Sequence, residues 1–274
     1  MPGRPPIEQR FPRPSVMGVV NVTPDSFSGD GVYLHVEAAT AEAFGMLDCG
    51  AAIVDIGGES TRPGAAPVAA EEELRRVEPV LEALQGEPVS IDTSKAAIAR
   101  RALELGAELV NDVTALRGDP ELAGVVADSG AYICLMHMQG EPRTMQDAPR
   151  YDDVVSEVKA FLEERLELAV AAGIVEEHVC LDPGFGFGKT VEHNFELLRR
   201  LGELAELGRP LLVGLSRKSS LGRIMGDPAA TSGTTAASVA AAVAAFERGA
   251  WIVRAHDVRQ HVEALRVACV VAQR

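Results

Sequence analysis

Polar and charged residues that could do chemistry recur along the chain at the ends of short apolar runs. Asn21 follows the first run, Asp55 and then Glu59-Ser60-Thr61-Arg62 the second, Asp92 the third and Asn111-Asp112 the fourth. His137 follows the fifth, Asp182 the sixth, Ser216-Arg217-Lys218 the seventh, and Arg254 with His256 the eighth. A chain that only had to fold would not need a carboxylate, amide or base at each of these ends, so together they describe a site. Arg254 and His256 stand two residues apart, which in an extended strand puts both side chains on one side. No Ser-His-Asp or Cys-His pairing is evident.

Other patterns are excluded on spacing. Cys49, Cys134, Cys180 and Cys269 lie far apart with no CxxC pair, so neither a zinc knuckle nor a dithiol redox motif is written here. His35, His178, His193 and His261 fall in helical or pre-strand segments and form no metal cluster. The segment Gly184-Phe185-Gly186-Phe187-Gly188-Lys189-Thr190 comes near a P-loop, but Pro183 stands where that pattern needs glycine. It reads instead as a glycine-rich turn whose backbone lies close to a ligand or to the next helix.

The elements that must position these residues alternate. Apolar runs at 16–20, 53–56, 89–91, 109–110, 133–136, 179–181, 211–213 and 251–253 are short enough for strands buried on both faces. Between them lie helical periods, such as Ile98, Ala102 and Leu105, or Val154, Val158, Phe161 and Leu162. Gly50-Ala51, Gly106-Ala107, Gly130-Ala131 and Gly249-Ala250 each stand between a helix and the next strand, where glycine can end the helix in the left-handed conformation. Eight such units, spaced by roughly 34 residues, predict an α/β protein with a closed (β/α)8 TIM barrel in a single domain. An open doubly wound sheet is the alternative. In a barrel, all eight polar ends open on one rim.

Composition agrees. The 274 residues suit one large domain, and 47% hydrophobic with 24% charged residues is a globular balance. The net charge of −14 gives no electrostatic reason to seek nucleic acid or an anionic membrane. Residues 1–14 hold five prolines and no apolar stretch, so they are neither a secretory signal nor a membrane span. They are expected to form a flexible extension, with the barrel domain at 15–274. The Ala-rich run 234–246 is too short and too weakly apolar to cross a membrane and is expected as a buried helix. A cytoplasmic location follows as the expectation.

Longer blocks then become informative: MGVVNVTPDSFS (17–28), DIGGESTRPGA (55–65), SIDTSK (90–95), NDV (111–113), LMHMQGEPRTMQ (135–146), LDPGFGFGK (181–189), GLSRKSSLG (214–222) and RAHDV (254–258). On these blocks the sequence resembles the dihydropteroate synthases from Met17 to about Val258. The resemblance implies a pterin-binding barrel that transfers the dihydropterin-6-ylmethyl group from its diphosphate to p-aminobenzoate. It also implies a Mg2+ cofactor, a homodimer and membership of an enzyme family that sulfonamides target. By resemblance, Asp92, Asn111, Asp182 and Lys218 hold the pterin, and Asn21, Arg254 and His256 meet the diphosphate, with Asn21 on the metal. Phe27, Thr61, Arg62, Pro63 and Ser219 frame the aminobenzoate, and Asp92, Lys218, Arg254 and His256 are the catalytic set. His256 would serve best as a protonated ring. Two segments depart from the pattern: Ala255, where a larger residue is expected, and 227–235.

Three rivals follow from the same residues. A pterin-binding methyltransferase shares the barrel but lacks the use for Arg254-Ala255-His256 and Thr61-Arg62-Pro63. An aldolase would use Lys218 as a Schiff base. A non-catalytic pterin-binding paralogue would lose Lys218, Arg254 or His256, and all three are present.

Overall fold

Alternate residues along each strand divide the interior into two cores. The strands are β1 (Ser15–Asn21), β2 (Ile53–Gly57), β3 (Val89–Asp92), β4 (Leu109–Asp112), β5 (Tyr132–Met136), β6 (Val179–Asp182), β7 (Leu211–Val213) and β8 (Ala250–Ala255). One set of side chains, including Val16, Val20, Val54, Ile56, Val89, Ile91, Val110, Ile133, Leu135 and Val253, packs outward among the helices. The other set points into the barrel, where Met17, Ile53, Leu109, Cys134, Cys180, Leu212 and Ile252 form a second apolar cluster. Both faces of every strand are thus buried, which is why the runs read as nearly continuous apolar stretches.

The computed structural model describes residues 3–23, 32–61, 64–141 and 143–272. Each strand pairs in parallel with its neighbours, and β8 closes on β1 with Met17 opposite Arg254. The sheet is a closed (β/α)8 barrel in the order of the sequence, so the open doubly wound alternative falls. The four Gly-Ala junctions behave as expected, with φ of +96° at Gly50, +106° at Gly106, +64° at Gly130 and +107° at Gly249. The Ala-rich run forms the helix Thr235–Glu247, capped by the Thr234 hydroxyl and buried through Ala241, Ala242, Ala245 and Phe246. No helix among the described residues is long and apolar enough to cross a membrane.

The amino-terminal segment differs from expectation. Residues 3–14 do not fray; a one-turn helix, Ile7–Arg10, covers the amino-terminal mouth of the barrel. Ile7 and Phe11, both 0% exposed, plug the inner apolar cluster. The surrounding polar groups fix the plug: Tyr132 donates to the Pro5 carbonyl at 2.8 Å, Trp251 Nε1 to the Phe11 carbonyl at 2.7 Å, and Arg10 pairs with Glu108. The physical reason is that an open barrel floor would leave a ring of apolar side chains in water. With that end sealed by hydrocarbon, the polar inward residues are left to the opposite mouth.

Candidate active site

At the carboxyl-terminal ends of the first four strands, register sets the polar residues in a row. Asn21 stands opposite Gly57, Gly57 opposite Asp92, and Asp92 opposite Asn111. A Cβ on Gly57 would lie 3.4 Å from Asp92 Cβ and 3.8 Å from Asn21 Oδ1, so the missing side chain keeps open the gap between that amide and that carboxylate. Asp55 lies two residues below Gly57 on the same inward face and is 0% exposed. Its Oδ2 accepts from Asn111 Nδ2 at 2.9 Å and from Arg254 Nε at 2.7 Å. Arg254 Nη2 also donates to Asp92 Oδ2 at 2.8 Å. Four strands are therefore linked by one hydrogen-bonded chain, Asn111–Asp55–Arg254–Asp92. Asp55 Oδ1 is buried and unpartnered among the described residues.

Electrostatics join the remaining groups to that chain. Burial pushes the Asp92 carboxyl well above the usual carboxylate range, against the pull of Arg254. Burial also raises Asp182, opposed by the Gly184 N–H, which donates to Asp182 Oδ1 at 2.7 Å, and by the charge of Lys218. Lys218 is lowered by burial, with Asp182 working the other way. Arg254 is held above its ordinary value because Asp55 and Asp92 outweigh the cost of its burial. Each of Asp92, Asp182, Lys218 and Arg254 feels the charge of others in the set, as expected of groups gathered at one end of the barrel. Lys218 Nζ also sits 4.2 Å from the centroid of the Phe187 ring, a cation–π contact.

His256 does not carry the ring proton that would suit an anionic leaving group best. Burial, then the Arg254 and Arg217 charges, push its pKa down to about 4, so the ring is neutral at pH 7. Ser216 Oγ lies 3.1 Å from His256 Nδ1 and accepts the His256 backbone N–H at 3.2 Å. Beside it, Arg217 grips the Asp257 carboxylate through Nη2 at 2.8 Å and Nε at 3.2 Å.

The glycine-rich turn packs against His137 and against the Lys218 side chain. Gly184 has φ +68°, and a Cβ there would meet the His137 carbonyl oxygen at 1.9 Å, so no other residue fits. Lys189 turns inward beneath this turn and is 3% exposed. Its ammonium reaches His137 Nδ1 at 2.8 Å and the carbonyls of Gly184 and Phe187 at 3.0 Å each. Burial lowers its pKa to about 7, and burial with the Lys189 charge takes His137 down to about 2. His137 is thus a neutral acceptor that helps to hold the turn.

On the other side of the mouth, Lys95 bridges Glu59 and the fully buried Glu73, and Glu59 Oε1 accepts the Val68 N–H at 3.1 Å. This ties together the two stems of the segment that contains Thr61, Arg62 and Pro63.

Of the residues expected at the site, Asn21, Asp92, Asn111, Asp182, Lys218, Arg254 and His256 all lie at this mouth. Ser219 opens the short helix Ser219–Ile224 directly after Lys218, and Thr61 is partly exposed at the edge of the described chain. Phe27, Arg62 and Pro63 lie outside the described residues. Asp55 and Ser216 stand among the polar strand ends without an individual role legible in the sequence, and Lys189 belongs to the glycine-rich turn. Asp55 was detectable as a carboxylate in the middle of an apolar strand, IVDIG, whose inward register it shares with Gly57.

Comparison with known proteins agrees with this geometry. The family profile described as pterin binding enzyme matches residues 17–256. The Escherichia coli K12 dihydropteroate synthase is 48% identical, covering 93% of this chain and 90% of the relative. A Xanthomonas albilineans dihydropteroate synthase structure with 4-aminobenzoic acid superposes with a TM-score of 0.88 at 49% identity, over 96% of this chain and 94% of that one. A second structure of the Xanthomonas protein, in complex with 7,8-dihydropteroate, gives a TM-score of 0.84 at 46% identity, over 96% and 95%. A matching profile over most of the chain, together with relatives near half identity, places this chain in the dihydropteroate synthase family of pterin-binding enzymes.

Proposed function

We propose that this barrel mouth joins p-aminobenzoate to the methylene carbon of 7,8-dihydropterin-6-ylmethyl diphosphate, releasing diphosphate and giving 7,8-dihydropteroate for folate biosynthesis. The observation that carries the reading is that Asp92, Asn111, Asp182, Lys218 and Arg254 stand at the carboxyl-terminal mouth of the barrel, with Asp92, Arg254 and Asn111 joined through Asp55 in one hydrogen-bonded chain. The pterin presents two adjacent donors, the ring N3–H and the 2-amino group, and a carboxylate is their two-oxygen partner. Asp182, already oriented by Gly184, takes that edge. Asn111 and Asp92 meet other ring atoms, and Lys218 reaches the carbonyl oxygen and N5. Burying the heterocycle without these partners would leave polar groups unpaired at about 1–3 kcal/mol each.

The reaction is SN1-like. As the C–O bond stretches, negative charge grows on the diphosphate and positive charge on the methylene and ring. Arg254 supplies fixed positive charge to the first, through the Nη1 edge that Asp55 and Asp92 leave unused among the described residues. His256, neutral at pH 7, donates a hydrogen bond and not a full charge. An ionised Asp92, paired with Arg254 at 2.8 Å, would favour the second. The aromatic amine then attacks the cation, and a weak nucleophile suffices without a strong base. Thr61 and Ser219 stand at the aminobenzoate end, with Phe27, Arg62 and Pro63 assigned there from the family pattern.

Among the described residues, no group of three or more His, Cys, Asp or Glu could hold a metal. The Asn21 amide oxygen fits Mg2+ all the same, because that ion keeps its waters and binds through few protein oxygens plus substrate phosphates. Asn21 would hold it, and the bound ion would neutralise the departing diphosphate. The four free cysteines suit the reducing cytosol. The helix Val258–Ala272, with Val267, Val270 and Val271 between 65% and 72% exposed, suits a homodimer.

A positional-isotope experiment tests the mechanism. Substrate carrying 18O in the bridge between the methylene and the α-phosphorus is incubated with enzyme and Mg2+ without aminobenzoate, then recovered. Label scrambled into the non-bridging α-oxygens is expected, since the ion pair can recombine. Recovery with the label entirely in the bridge, from enzyme that turns over normally with the amine, would contradict a reversible, rotationally free ion pair before amine attack.

A further inference from the structure

The Ser216 hydroxyl faces two groups of the same residue, the His256 backbone N–H at 3.2 Å and the His256 ring Nδ1 at 3.1 Å. A serine hydroxyl has one proton to donate and lone pairs to accept with. The backbone N–H can only donate, so it occupies a lone pair. The hydroxyl proton then needs an acceptor, and Ser216 is 7% exposed with Nδ1 as the acceptor available among the described residues. A ring nitrogen that accepts is the unprotonated one, so a neutral His256 carries its proton on Nε2. Nε2 makes no hydrogen bond among the described residues. The adjacent Arg217–Asp257 pair, bidentate at 2.8 and 3.2 Å, holds the segment after β7 against the end of β8 and keeps serine and ring in register.

We infer that Ser216 is a positioning residue that fixes His256 as its Nε2–H tautomer, so that the ring offers the departing diphosphate an N–H donor and not a lone pair. The inference rests on the leaving-group role given to His256 above. The opposite tautomer would aim a lone pair at an anionic oxygen, which repels where the reaction needs attraction. Histidines that ligate metals or serve serine nucleophiles are set by the same logic, in which the bond at one nitrogen decides what the other can do.

The test combines spectroscopy with kinetics on the full chain. Long-range proton–nitrogen correlation spectra of 15N-histidine-labelled enzyme at pH 7.5 distinguish protonated from bare ring nitrogens. Wild type is expected to show His256 protonated at Nε2. Ser216→Ala is expected to move the ring to a tautomer mixture and lower kcat by about tenfold, the worth of one lost hydrogen bond, with the KM for p-aminobenzoate unchanged. Ser216→Thr, which keeps a hydroxyl, is expected to restore both tautomer and kcat. A wild-type ring protonated at Nδ1 overturns the inference, as does a Ser216→Ala enzyme with normal kcat or an unaltered tautomer. His256→Gln separates the two layers: a fall in its kcat beside a normal Ser216→Ala rate removes the positioning role alone. An unchanged His256→Gln rate removes the leaving-group role itself.

Discussion

Lys218 illustrates how a single side chain is set for its task. Burial lowers its pKa while Asp182 works against that shift, and its ammonium rests over the Phe187 ring. In the proposed reaction that ammonium turns to the pterin edge when substrate binds. Lys218→Ala removes a charged hydrogen bond of about 1.5–3 kcal/mol, so the dissociation constant for the dihydropterin diphosphate should rise about 10–150-fold by calorimetry. Binding within twofold of wild type would remove Lys218 from the pterin site. At this scale the sequence was informative where residue type alone implies a role: a carboxylate, an amide or a cation after each strand. It marked Asp55 and Ser216 as polar strand ends without showing their roles, which come from what they touch. Asp55 orients Arg254 and Asn111 from the layer below, and only the barrel register reveals that.

At the scale of elements, all eight strands were legible because each must bury two faces, and that demand writes short apolar runs. The runs at 109–110 and 179–181 came out short because their strands continue into Asn111-Asp112 and Asp182, where the inward side chains turn polar at the working mouth. The amino-terminal plug was missed for the opposite reason. Five prolines read as a linker, yet Ile7 and Phe11, four residues apart, present one face of a single helical turn to the barrel floor. Phe11→Ala is expected to destabilise the fold by about 3–5 kcal/mol in denaturant melts, as for other buried aromatics. Because the plug lies at the far end of the barrel, the KM values should stay within twofold. A shift in KM without loss of stability would mean that the segment serves the site and not the floor.

For the whole molecule, the site is bought with stability. Asp182 is buried with its pKa raised above the ordinary Asp value near 4. As pH rises past that ordinary value, the unfolded chain releases the proton first while the folded chain retains it, so stability falls until the folded carboxyl also ionises. Asp182→Asn keeps an oxygen for the Gly184 N–H and removes this penalty. Its melting temperature at pH 8 should rise by a few degrees, consistent with about 1–2 kcal/mol in a chain of this size, while pterin affinity is lost. A variant no more stable than wild type at pH 8, yet equal to it at pH 3, would show that the buried carboxylate carries no such cost. In the proposed reaction the barrel mouth grips the pterin by its donor edge while Arg254 and the bound cation draw off the diphosphate. A crystal structure with the dihydropterin diphosphate bound tests it most directly. N3–H and the 2-amino group are expected within hydrogen-bond distance of the Asp182 carboxylate, with the phosphates beside Arg254 and His256. A pterin ring seated elsewhere, leaving Asp182, Asn111 and Lys218 untouched, would contradict it.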